Sequence, residues 1–172
     1  KMHNVLVIYK QVSLQFDKDG NLLPFEGTPV HTLSYDEKPG IQAIGSTTPD
    51  LPPISNTEKG SSYMRDYEYI RYGTISLLAA IDLLTGEAIP LVSDTHKSSD
   101  FVEFLTRLDA KYPEGDKIRL ILDNHSAHTS QETQRYLNNH LGRFEFVFTP
   151  THGFWLNLVE GFFSKLTRSE ER

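Results

Sequence analysis

The chain has no cysteine among its 172 residues. That excludes a disulfide-stapled scaffold, a thiol nucleophile and a cysteine-ligated zinc site. Long apolar runs are missing too. The longest, near residues 75–84, is broken by Ser76 and Asp82, short of the roughly 18 apolar residues that a membrane-spanning helix needs. The opening KMHNVLVIYK is too short and too polar for a secretory signal, and no small-residue cleavage site follows it. Positive charge is in deficit: 17 Lys and Arg against 23 Asp and Glu leave a net charge of −6. At first sight this argues against a nucleic-acid partner. Neither G-x-G-x-x-G, nor a P-loop, nor G-x-S-x-G occurs. Nucleotide-cradling and serine-hydrolase readings therefore have little support.

What is present is the composition of a folded domain: 38% hydrophobic and 11% aromatic residues rule out a disordered chain. The length suits one domain with a real core. The expectation is a cytoplasmic domain.

Residues 5–9 (VLVIY) fit a strand or the end of a helix, and Asp17–Asn21 reads as a turn. Val30–Tyr35 is a β-rich run ending in Asp36, with Pro39-Gly40 closing it. Residues 45–64, rich in Ser, Thr, Pro and Gly, read as a long surface loop. Glu68–Asp82 and Ala88–Val92, joined through Thr85-Gly86, read as a β-hairpin. Ser98-Ser99-Asp100 offers N-cap oxygens to a helix whose Phe101, Phe104, Leu105 and Leu108 share one face. Lys117–Asp123 is a short buried strand. Thr129-x-x-Glu132 is a capping box for a polar helix ending near Asn139-His140. Phe144–Phe148 alternates as a strand does, and Leu156, Val159, Phe163 and Leu166 mark one face of a last helix. Three hairpin-joined strands followed by alternating helices and strands predict an α/β fold: a mixed β-sheet with helices on both faces.

Three acids stand where such sheets form sites. Asp36 and Asp123 end strands, and Glu160 lies beside an apolar stripe on the last helix. Each has a plainer reading. Asp123 can cap a turn, Asp36 can pair with Lys38 or Arg65, and Glu160 can be the N3 partner of Asn157 in a capping box. Grouped, the three acids would suit Mg²⁺ or Mn²⁺. A pair of such ions roughly 3.5–4 Å apart serves in-line attack on a phosphodiester.

The segments SYDEKPGIQA, RLILDNHSAH and FTPTHGFWLNLVEGFFSKLTR resemble the catalytic motifs of DDE transposases. The nearest likeness is to those of bacterial insertion sequences related to the mariner superfamily. The likeness continues through RDYEYIRYGTISLLAAIDLLTGEA and THKSSDFVEFL, covering roughly residues 30–168. The resemblance implies an RNase H-like fold whose catalytic and metal-binding acids are Asp36, Asp123 and Glu160. It implies two Mg²⁺ ions, with Mn²⁺ as a substitute. Thirty-six residues lie between Asp123 and Glu160, close to the compact spacing of that superfamily. The implied activity is DNA strand cleavage and strand transfer at transposon ends. The implied partners are transposon-end and target DNA, with no membrane and with a homodimer across paired ends. Residues 30–172 would be the catalytic domain and 1–29 an N-terminal linker or extension. The family's helix-turn-helix region is absent, and the chain stops soon after the third motif, so a truncated catalytic fragment is expected. A nuclease acting on RNA–DNA hybrids and an inactive interaction module are the competing readings.

The remaining polar residues carry secondary expectations. His125 and His128 have the H-x-x-H spacing of a zinc pair, but no third nitrogen or sulfur ligand is evident beside them. His128 and Asn124 are supporting residues: His128 positions the Asp123 loop or contacts a phosphate, and Asn124 orients the acid, contacts DNA or simply turns the chain. Glu37 points to the face opposite Asp36 if the strand continues; the family motif, not position, selects Asp36 as the ligand. Trp155 is expected in the core rather than stacked on a base. No phosphate contact is assigned to Lys38, Arg65, Arg71, Lys97 or Lys165.

Overall fold

A computed structural model of the chain describes residues 2–24, 27–46, 69–151 and 157–170. Five strands form one sheet: β1 (Val30–Ser46), β2 (Tyr69–Asp82), β3 (Ala88–Ser93), β4 (Lys117–Leu122) and β5 (Phe144–Phe148), in the order β3-β2-β1-β4-β5. The pairs β1–β2 and β2–β3 are antiparallel, whereas β1–β4 and β4–β5 are parallel. The parallel pairs follow from helical crossovers: α2 (Ser98–Lys111) precedes β4, and α3 (Gln131–Asn139) precedes β5. Two further helices, α1 (Met2–Ser13) and α4 (Leu158–Glu170), flank the strands in sequence.

Period-two alternation divides the sheet into two buried faces. Leu33, Tyr35, Leu78, Ala80, Ile118, Leu120 and Leu122 pack with Phe101, Phe104, Leu105 and Leu108 of α2, and Tyr136 and Leu137 of α3 join them. The opposite face is covered in two places. Val5 and Ile8 of α1 sit on Ile121, and Val159 and Phe163 of α4 sit on Leu77 and Ala79. The mixed sheet with helices on both faces is as the sequence predicts, and it is RNase H-like.

Several local expectations are corrected. Of the two readings of residues 5–9 the structure takes the helical one, within α1 rather than at its end, because Val5, Ile8 and Val12 fall on one face and bury it against the sheet. Pro39-Gly40 does not close the first strand. A register shift between Lys38 and Ile41, with Gly40 at φ 72°, absorbs the proline, and β1 runs on to Ser46. Glycine tolerates this left-handed backbone, which makes the bulge cheap. Residues 45 and 46 thus belong to β1; residues 47–64 of the anticipated loop, with Arg65, Trp155 and Leu156, lie outside the described residues. Ser130, not Thr129, caps α3: its hydroxyl accepts from the Thr133 amide at 3.2 Å, while Thr129 ends a 3-10 turn, Ser126–Thr129. At α2 the N-cap is Lys97, and Asp100 accepts from its backbone amide at 2.7 Å.

Candidate active site

Asp36 lies within β1, not at its end, and pairs across to Ala79 of β2. Alternation gives it the face of Thr32 and Ser34, the one that α4 covers. Asp123 directly follows β4. Ser34 is paired with Ile121, so the same register carried two residues on sets Asp36 level with Asp123. Two adjacent parallel strands thus deliver the first two acids side by side.

The third acid is brought in by α4, and Asn157 fixes where that helix begins. Its side-chain amide donates to the Tyr35 carbonyl at 2.8 Å, and its side-chain oxygen accepts from the Ser34 hydroxyl. The Ser34 hydroxyl in turn receives the Val159 amide at 3.4 Å. All of these groups are buried, so the clasp is strongly favoured over leaving them unpaired. It also disposes of the capping-box reading of Glu160: the Asn157 side chain is committed to β1. Farther along α4, Lys38 Nζ donates to the Thr167 hydroxyl.

The acids feel one another. The Asp36 carboxyl is pushed up to about 6, first by burial and then by the charges of Asp123, Glu160 and Glu37, against the pull of the Glu37 amide it accepts from. Burial also raises Glu160. Asp123 is held below the usual carboxylate range, chiefly by its hydrogen bond to His128. The carboxylates are not drawn tightly together. The tight group of potential ligands among the described residues is a different one: Glu37, His125 and His128, with ligand atoms within 4.8 Å.

His128 and Asn124 both support the loop that carries Asp123. Asn124 Nδ2 donates to the Thr149 carbonyl at 2.7 Å, closing the loop onto the end of β5. His128 is almost wholly buried; its Nδ1 stands 3.1 Å from the Asp123 carbonyl and 3.3 Å from Asp123 Oδ1. Its Nε2 faces Glu37 Oε1 at 3.4 Å, and Tyr35 donates its hydroxyl to the same oxygen at 2.8 Å. Burial alone would lower the His128 pKa, but the bonds to Asp123 and Glu37 overcome it and carry it up to about 9. Glu37 therefore does point away from Asp36, to the α2 face, where it ties β1 to the Asp123 loop. No local sequence signal marks this part, because its partners His125 and His128 lie in an element distant in sequence. A hollow of about 280 Å³, lined by Asp123, Asn124, His125, Thr149, Pro150 and Thr151, opens beside the second acid. A larger cavity of about 560 Å³ lies elsewhere, between α1 and the sheet near His31 and Arg119.

The strand order and the helices on both faces define an RNase H-like core. A family model described as "DDE superfamily endonuclease" matches residues 45–172, and the chain belongs to that family. A curated relative, the "Insertion element IS630 uncharacterized 39 kDa protein" of Shigella sonnei, is 33% identical over 84 residues, 49% of this chain and 24% of its own length. A chain of the simian T-cell lymphotropic virus intasome, solved with PP2A regulatory subunit B56 gamma, matches with a TM-score of 0.50 and 15% identity. It covers 88% of this chain and 45% of its own; at that identity the likeness is one of fold. The Mos1 transposase paired-end complex with left transposon end gives a TM-score of 0.44 at 16% identity, over 84% of this chain and 38% of that one. The chain thus spans about a quarter of the curated relative and under half of each of these structures.

Proposed function

We propose that this chain, over residues 30–172, is the catalytic domain of a transposase that cuts DNA at transposon ends and joins the freed end to target DNA. The observation that carries the reading is the charge balance at Asp36. The β1–β4 register sets that carboxylate level with Asp123, and its pKa, raised to about 6 chiefly by burial and further by the charges of Asp123, Glu160 and Glu37, supports a site that a cation would relieve. Family membership as a DDE superfamily endonuclease and the insertion-element relative support it.

Three carboxylates are an all-oxygen donor set, which fits Mg²⁺ or Mn²⁺. Asp36, Asp123 and Glu160 are the residues that would hold two such ions. Bound there, the ions supply Lewis-acid activation of the attacking and leaving oxygens of a phosphodiester. The chain's own contribution is placement. The parallel β1–β4 register sets Asp36 beside Asp123, Asn157 anchors the helix of Glu160, and His128 keeps Asp123 ionised. The net charge of −6 is then no argument against DNA, since bound divalent ions reverse the local sign. No helix among the described residues is long and apolar enough to cross a membrane; a cytoplasmic DNA-acting enzyme working as a homodimer across paired ends is the fuller form of the proposal.

The test is cleavage of labelled duplexes bearing the sequences that flank this chain's own coding region, in Mg²⁺ or Mn²⁺. Strand cutting that is abolished by Asp123→Ala is expected. Cutting that is unchanged by Asp123→Ala overturns the reading, and cutting confined to RNA–DNA hybrids replaces it with a hybrid nuclease.

A further inference from the structure

On the face of β1 opposite Asp36, Glu37 meets His125 and His128 from the 3-10 turn and its N-cap. Glu37 Oε1 lies 3.4 Å from His128 Nε2, and Glu37 Oε2 lies 3.8 Å from His125 Nδ1. Two ligands held at about 2.0–2.1 Å on a tetrahedral ion stand about 3.3 Å apart. The Glu37–His128 separation is thus the one such an ion imposes, and the His125 separation is within a side-chain adjustment of it.

Three further features point the same way. His125 Nδ1 is buried and has no hydrogen-bond partner among the described residues, although buried polar atoms are nearly always paired. His128 Nδ1 is already engaged by the Asp123 carbonyl and carboxylate. That is the outer-shell support that fixes a liganding imidazole and leaves its Nε2 lone pair for the ion. Finally, His128 is buried and Glu37 largely so, while the His125 side chain is 40% exposed, which gives both a firm seat and a path of entry.

We propose that Glu37, His125 and His128 form a second metal site, separate from the three acids, that takes one borderline ion of the Zn²⁺ class with water as its fourth ligand. Two imidazoles and one carboxylate suit Zn²⁺ or Co²⁺ over Mg²⁺. On binding, the ion takes the Nε2 lone pair of His128, and the Nε2 proton leaves to solvent. The site is structural: it joins β1 next to Asp36 to the loop that carries Asp123. It accounts for an H-x-x-H that lacked a third ligand in the sequence; the ligand is Glu37, one residue beyond the first acid.

The test uses the full chain, stripped with a chelator and titrated with Co²⁺ alone. One equivalent per chain with the intense visible absorption of four-coordinate cobalt is expected, bleached by Zn²⁺, retained in Asp36→Asn and lost in His125→Ala. The partly exposed position of His125 keeps that variant folded, and circular dichroism verifies it. Absence of the band, its persistence in His125→Ala, or its loss in Asp36→Asn overturns the proposal. DNA cleavage is not read, so this result and that of the transposase reading stand or fall separately.

Discussion

The side-chain amide of Asn157 donates to the backbone carbonyl of Tyr35 at 2.8 Å, across 122 residues of sequence. This contact anchors the start of α4 beside the strand segment that carries Asp36, and so sets where Glu160 can stand. Asn157→Ala removes it and leaves the Tyr35 carbonyl and Ser34 hydroxyl buried without their partner. A loss of about 1–3 kcal/mol is expected in urea unfolding. Divalent-ion binding and DNA cleavage should fall further than stability does, because α4 is released from its seat.

Asp36 links pH to metal. Its carboxyl is raised from 3.8 to about 6 in the fold, so the folded state holds that proton more tightly than the unfolded chain. The stabilisation from this group is complete below about pH 4 and is lost as pH rises through about 6. Metal-free protein should therefore lose stability over that window, and Asp36→Asn should remove the loss. Mn²⁺ should raise the thermal midpoint above about pH 7 and leave it unchanged near pH 4.5, where protons occupy the site. Calorimetry at several pH values, with and without Mn²⁺, reads both effects.

His128 works in a higher window. Its pKa rises from 6.5 to about 9, so its contribution is fully present below about pH 6.5 and lost as pH climbs through about 9. In metal-free protein, His128→Gln should flatten the stability profile between those values and cost on the order of 2 kcal/mol near neutral pH. Urea midpoints measured from pH 6 to 10 check the slope.

Arg143 offers a contrast away from the acids. It donates to Asp109 Oδ1 at 2.7 Å and to the carbonyls of Asp109, Tyr112 and Pro113 at 3.0, 2.9 and 2.7 Å, gathering the end of α2 and the turn before β4. Arg143→Ala should cost on the order of 3 kcal/mol by leaving those acceptors short of a donor. Mn²⁺ affinity of the folded fraction should stay as in the wild type; isothermal titration separates the two.

Most of the sheet was legible because its signals are local. Alternation marked β5, the apolar run KIRLIL marked β4, and Thr85-Gly86 marked the β2–β3 turn. That also placed Asp123 at a strand end. Asp36 was found by motif but misplaced, because Pro39-Gly40 read as a stop where a bulge lets β1 continue. The α1 helix was ambiguous because VLVIY suits either structure until Ile121 supplies a surface for Val5 and Ile8. What could not be read is what depends on distant pairing. The Asn157 side chain looked like a capping partner for Glu160 three residues on, yet it bonds Ser34 and Tyr35, and the Glu160 amide goes to the Asn157 backbone carbonyl instead. Glu37 looked like a bystander to Asp36, yet it meets His125 and His128 from across the sheet.

The central claim is that Asp36, Asp123 and Glu160 share divalent ions. The most direct measurement is anomalous diffraction from crystals of the full chain soaked in Mn²⁺ above pH 7. Manganese peaks bridging the carboxylates of Asp36, Asp123 and Glu160, absent from Asp123→Asn crystals, are the predicted result. Well-occupied manganese elsewhere, with none at these three acids, would contradict the account.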